Sequence, residues 1–156
     1  MRLWHRDLIP YLPRKQLLGQ WRECCLIAKN IAETGTPNHL LVNKIMDYPI
    51  EHFIVYSREA YHEMLARGYN CNSDCFEKHI GNFFSAGREN GNELYIRDVF
   101  PNWHDAEYFF TCLFNLNEKF LCGGIPADEW KMIQEEYCFS SIMDILKSKS
   151  VKEANT

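Results

Sequence analysis

Arg22 and Glu23 stand side by side in the first long apolar-periodic segment of the chain, and the chain's own α-amine lies at the start of the same basic stretch. A guanidinium beside a carboxylate can hold a phosphate with one group and stabilise or move a proton with the other. Residues 1–30 carry six basic side chains (Arg2, Arg6, Arg14, Lys15, Arg22, Lys29) against two acidic ones (Asp7, Glu23). That is +4 in a chain whose net charge is −4, so residues 31–156 carry −8. A basic segment at one end of an acidic protein marks a local anion site, with phosphate the obvious anion. The alternative is a pair of charges on a solvated helical face. The company of Arg2, Arg6 and the α-amine favours chemistry.

The elements that must position these groups can be read from periodicity. Residues 1–12 form an arm with a short turn, and Pro13 opens a helix. Leu17, Trp21, Cys24, Cys25, Ala28 and Ile31 recur at spacings of three and four to about Ala32, defining a buried stripe with Arg22 and Glu23 off it. The turn cluster 33–38 closes this helix. Leu40 to Met46 is a short apolar segment read as helical. Pro49 opens a second long helix with Phe53, Tyr56, Ala60, Met64 and Leu65 inside, stopped at Gly68. Residues 70–92 are rich in glycine and asparagine and less regular, and 94–100 suits a short extended piece. A third helix, capped by Asp105, runs to about Phe120 with Tyr108, Phe109, Cys112, Leu113 and Leu116 inside. Gly123-Gly124 breaks the chain before a fourth helix over 126–137. The expected fold is all-α: three to four packed helices with an N-terminal arm, one domain over 1–147, and a polar, frayed tail over 148–156.

Size and composition agree. At 156 residues, 46% hydrophobic and 14% aromatic, the chain fits one domain with a real core. No apolar run approaches a membrane span, and Arg2, His5, Arg6 and Asp7 make the start too polar for a signal peptide. The expectation is a soluble, cytoplasmic protein with no membrane association. Seven cysteines, an odd number without a secretion signal, read as reduced and mostly buried thiols.

Three segments in order resemble the pyrimidine-dimer DNA glycosylase family, the phage T4 endonuclease V type. Leu17-Leu18-Gly19-Gln20-Trp21-Arg22-Glu23, behind an arginine-bearing start, is similar to the family's opening helix, whose Arg-Glu pair lies at the same distance from the initiator methionine. Arg67-Gly68-Tyr69-Asn70 resembles the family's Arg-Gly-aromatic-Asn helix end. His104-Asp105-Ala106, with Leu116-Asn117-Glu118-Lys119 behind it, resembles its third-helix segment. The MRLWH start with LLGQWRECC is similar to a bacterial branch of that family.

The resemblance implies a DNA repair glycosylase with abasic-site lyase activity, acting on pyrimidine dimers or related lesions in damaged double-stranded DNA, as a monomer and without a cofactor or metal. An N-terminal α-amine would attack the sugar C1′, form an imine, and cut the strand by β-elimination. The ordinary α-amine pKa of about 7.7–8.0 leaves a useful neutral fraction near pH 7, which a lysine at about 10.4 does not. In the phage type the amine belongs to a threonine exposed by methionine removal. Here the second residue is Arg2, whose bulk opposes removal, so the implied nucleophile is Met1 itself. Glu23 would act as acid/base or electrostatic stabiliser. Arg2, His5, Arg6, Lys15, Gln16 and Arg22 would contact DNA, Gln16 standing where the family has a histidine. The rivals are a non-catalytic DNA-binding domain of the same fold and a helical protein-interaction or metal-binding module.

Other features read more simply. Cys71, Cys75 and His79 lie at i, i+4 and i+8, which would align three zinc ligands on one helix, but the spacing matches no common zinc module. His5 reads equally as a proton relay or phosphate contact and as a packed turn histidine. His39 reads as a local cap. Trp21 belongs to the core, Trp4 is open, and Tyr108, Phe109 and Phe110 read as core rather than a base-stacking platform.

Overall fold

The computed structural model describes residues 1–81, 88–89, 92–93 and 96–137. It is mainly helical, as expected. Five α-helices are present among the described residues: α1 (Arg14–Thr34), α2 (Ile50–Ala66), α3 (Asp74–Ile80), α4 (Ala106–Leu121) and α5 (Ala127–Tyr137). Two 3-10 turns, Arg6–Tyr11 and Asn43–Asp47, precede α1 and α2. The one strand pairing among these residues is a two-residue antiparallel ladder, Arg88–Glu89 with Asn92–Glu93.

Helix ends follow the local chemistry. Pro13 is the residue before α1, and Pro49 the residue before α2. At the end of α2, Gly68 takes φ 71°, its N–H reaches the Leu65 carbonyl, and the Tyr69 N–H reaches Met64. This Schellman closure needs a left-handed residue, which glycine supplies without a Cβ clash. Gly123 repeats the device after α4, with Gly124 N–H on Lys119 and Gly123 N–H on Phe120. The Asp105 carboxylate accepts from the Tyr108 N–H at 2.9 Å and so caps α4.

The helix count corrects the expectation of three to four. The missed element is α3, inside the segment read as irregular. It is only seven residues long and has one buried side chain, Phe76, too little for a period to show. Phe76 stacks on Trp21 of α1 (6.0 Å between ring centres) and packs on Phe53 of α2 (5.5 Å), so α3 closes the side of α1. The Leu40–Met46 segment is a 3-10 turn over Asn43–Asp47. Residues 96–100 form bends rather than an extended piece, and Leu94 and Tyr95 lie outside the described residues.

α1 packs against α2 and α3, and the Arg6–Tyr11 turn against α2 and α4. The arm is therefore core and not appendage: Leu3, Trp4, Leu8, Ile9 and Leu12 are buried. Trp21 joins them, as read, and so does Trp4. Leu65 and Phe110, expected inside, are exposed, Leu65 lying one residue past Met64 and off the inner stripe of α2. All six described cysteines are free. Cys24 and Cys112 are buried, Cys25 and Cys71 half-buried, and Cys75 and Cys122 exposed, so "mostly buried" holds for only two of the six. Cys138 and the tail 148–156 lie outside the described residues. No helix of the described residues is long and apolar enough to cross a membrane.

Candidate active site

The arm has little regular structure, so its backbone polar groups must find partners elsewhere. Side chains from four helices and one loop provide them. From α1, Gln20 accepts the Trp4 N–H at 2.8 Å, and Glu23 accepts the Arg2 N–H at 3.0 Å. From α2, the Tyr56 hydroxyl donates to the Trp4 carbonyl at 2.7 Å, and Arg67, the residue that caps its C-terminus, donates to the carbonyls of Leu12 (2.6 Å) and Pro10 (2.7 Å). The Tyr108 hydroxyl of α4 donates to the Leu3 carbonyl, and the Tyr137 hydroxyl of α5 to Asp7 at 2.6 Å. His104, before α4, accepts the Arg6 N–H at 3.1 Å.

The result is a fixed position for the start of the chain. The Met1 nitrogen lies 3.9 Å from Glu23 Oε1 while the other carboxylate oxygen holds the Arg2 N–H. Both side chains are partly open, Glu23 at 33% and Met1 at 12% exposure, so a solute can reach the pair while one carboxylate oxygen remains tied. Glu23 is thus half-covered by the arm rather than projecting freely from α1. Arg22, its neighbour, is exposed.

The other residues singled out from the sequence fare differently. Lys15 is exposed near the start of α1. The half-buried Arg2 leans its guanidinium over Trp4, 5.8 Å from the ring centre. Gln16 is half-buried, and its Oε1 has no hydrogen-bond partner among the described residues. Arg6 is engaged in a forked pair with Glu59, Nε at 2.9 Å from both oxygens and Nη2 at 2.6 Å from one, and its other arm reaches the Arg97 carbonyl. Burial pushes the Glu59 carboxyl up despite that pairing. His5 is buried, accepts the Asp7 N–H at 3.2 Å, and stacks on His104 with ring centres 5.2 Å apart. That is the packed turn histidine of the two readings, and desolvation lowers its pKa. Burial drives His104 down to about 3.

Among the described residues no group of three His, Cys, Asp or Glu side chains could hold a metal ion. Cys71 precedes α3 instead of sharing a helix face with Cys75 and His79. His39 is local, as read, its ring nitrogen accepting the Leu41 N–H at 3.3 Å.

Sequence reasoning missed Gln20, Tyr56, Glu59 and His104 as positioning groups. Gln20 gave a usable signal: it is a polar residue three positions after Leu17, beside a stripe that is otherwise apolar, and a buried polar group implies partners. Tyr56 looked like any core aromatic.

This architecture is a helical domain that folds its own amino terminus back over a carboxylate on its first helix. The family model described as pyrimidine dimer DNA glycosylase matches residues 1–77 of the chain. The family is one of DNA repair enzymes, glycosylases of damaged DNA. The match takes in the arm, α1, α2 and the Arg67–Asn70 helix end, and stops before the 104–119 segment that also resembles it. No curated protein and no solved structure matches the chain.

Proposed function

We propose that the chain is a DNA glycosylase with abasic-site lyase activity whose nucleophile is the α-amine of Met1. The observation that carries this reading is the amine 3.9 Å from Glu23, with the arm tied to α1 at the next residue, Arg2, and again at Trp4. The neutral amine attacks C1′ of the damaged nucleotide as the bond from C1′ to the base breaks, and the base leaves with the electron pair and takes up a proton. The nitrogen loses a proton and its lone pair then expels the ring oxygen O4′, which takes up a proton, so that the opened sugar carries a protonated imine at C1′. Removal of a C2′ proton then expels the 3′ phosphate oxygen and cuts the strand, and water returns the free amine.

Glu23 sits where it can take the amine's proton, offset the positive charge of the protonated imine, and carry the C2′ proton. Arg22, exposed beside it, and Arg2, next to the amine, are the cations suited to hold phosphates flanking the lesion. Lys15 and Gln16 lie about two turns back from Arg22 and Glu23 along α1. Arg6 and His5 serve the fold from inside, keeping the arm in place.

Glu23→Gln should lower strand cleavage by roughly 10²–10⁴-fold while salt-sensitive binding to abasic-site duplex persists. Unchanged cleavage in that variant would remove Glu23 from the mechanism. Salt-sensitive binding by the unmodified protein with no cleavage at all would leave a DNA-binding domain only.

A further inference from the structure

The turn between α1 and α2 places two leucines in water. Leu40 is 86% exposed, more than any other large apolar side chain among the described residues, and Leu41 is 55% exposed. Single exposed leucines are ordinary, but an adjacent pair at the tip of a rigid turn is not. The turn is closed by its own bonds. The His39 carbonyl accepts from the N–H groups of Val42 (3.0 Å) and Asn43 (2.9 Å), and the Asn43 side chain accepts the His39 N–H at 3.1 Å. Val42 and Ile45, both buried, pin it from beneath.

The tip shares a cavity with Arg2, the residue that follows the Met1 amine in the chain. One cavity of about 410 Å³ is lined by Leu40, Leu41 and Lys44 on one side and by Arg2 on another. Trp103 and Tyr108 also line it, together with the acidic Asp105 and Glu107. The two carboxylates disfavour a phosphate on their wall, which leaves the Arg2 and Lys44 edges for a polyanion's backbone. Leu40 and Leu41 add an apolar projection to the same lining as those two cations.

We propose that Leu40 and Leu41 form a wedge that enters the base stack of duplex DNA beside the lesion, with Lys44 and Arg2 on the flanking phosphates. Apolar side chains inserted at a base step unstack it and kink the duplex, and the cost is smallest where the stack is already damaged. The wedge presents the lesion sugar to the amine. This inference rests on the reading of the site as a DNA glycosylase, and it assigns to this tip the step that opens the duplex.

The test uses the full chain and a duplex with one abasic site flanked by 2-aminopurine, whose fluorescence rises on unstacking. Alongside it, cleavage of the duplex is compared with cleavage of the same strand alone. The Leu40→Ala/Leu41→Ala variant should lose the fluorescence rise, and its duplex-to-single-strand cleavage ratio should fall about tenfold. Met46→Ala, an exposed apolar residue outside the cavity lining, is the control and should behave as the unmodified protein. A variant that keeps both the rise and the ratio overturns the wedge and leaves the glycosylase reading intact. A rise that depends on the leucines, with no cleavage of either substrate, overturns the glycosylase reading and keeps the wedge. Neither rise nor cleavage in the unmodified protein overturns both.

Discussion

The arm and the Leu40–Leu41 tip border the same cavity and are held in opposite ways. The arm has one 3-10 turn of its own and is otherwise fixed by side chains from α1, α2, α4 and α5, up to 130 residues away in sequence. The tip is fixed by bonds between residues at most four apart. The arm's polar backbone is satisfied across the completed fold; the tip closes its own hydrogen bonds and needs the core only for Val42 and Ile45 beneath it. The difference suits the tasks proposed for them. A nucleophile that must face a carboxylate needs the precision of the whole domain behind it, whereas a projection into a soft, damaged duplex needs only local stiffness.

The contrast can be broken by mutation. Arg6→Gln strips the forked pair from Glu59 and the contact to Arg97, leaving a partly buried carboxylate without its cation. It should cost about 2–3 kcal/mol in a denaturant titration, below the 3–5 of a fully buried pair because both side chains keep some exposure. A loss under about 0.5 kcal/mol would show that the arm is not held by this pair.

A second way acts through pH. His104 supports the arm as a neutral acceptor for the Arg6 N–H, with its pKa lowered to about 3 from an ordinary 6.5. His5, stacked on it, is lowered too. An unfolded chain takes up those protons first, so stability rises with pH in this range. The stabilisation should be complete above about pH 6.5 and fall away from there towards pH 3. His104→Gln should flatten that slope, and an equally steep slope in the variant would assign it to other groups. The smallest effect belongs to the tip: Leu40→Ala/Leu41→Ala should leave stability within about 0.5 kcal/mol, since both side chains are already in water.

The two regions also differ in how much of them could be read from the chain. Helix bounds were legible within about two residues because their punctuation is local: Pro13 and Pro49 before helices, Gly68 and Gly123 after them, Asp105 as a cap. The Arg22-Glu23 pair was legible as a candidate site through its neighbours in the charge pattern and through the family resemblance. The arm's burial was not legible, because its apolar run is short and interrupted by Pro10, and the tyrosines and Arg67 that hold it lie far along the chain. The same holds for two groups read as DNA contacts, whose partners Glu59 (for Arg6) and His104 (for His5) lie far along the chain. Leu40 and Leu41 read as an ordinary apolar segment, since periodicity does not tell an exposed leucine from a buried one.

The central claim is that the amine of Met1 is the nucleophile. Borohydride reduction during reaction with abasic-site DNA, followed by peptide mapping in a mass spectrometer, tests it directly. The account predicts a covalent protein–DNA adduct on the Met1 nitrogen, abolished when an added N-terminal tag is left in place. An adduct on a lysine side chain such as Lys15 or Lys44, or trapping that survives the tag, would contradict it.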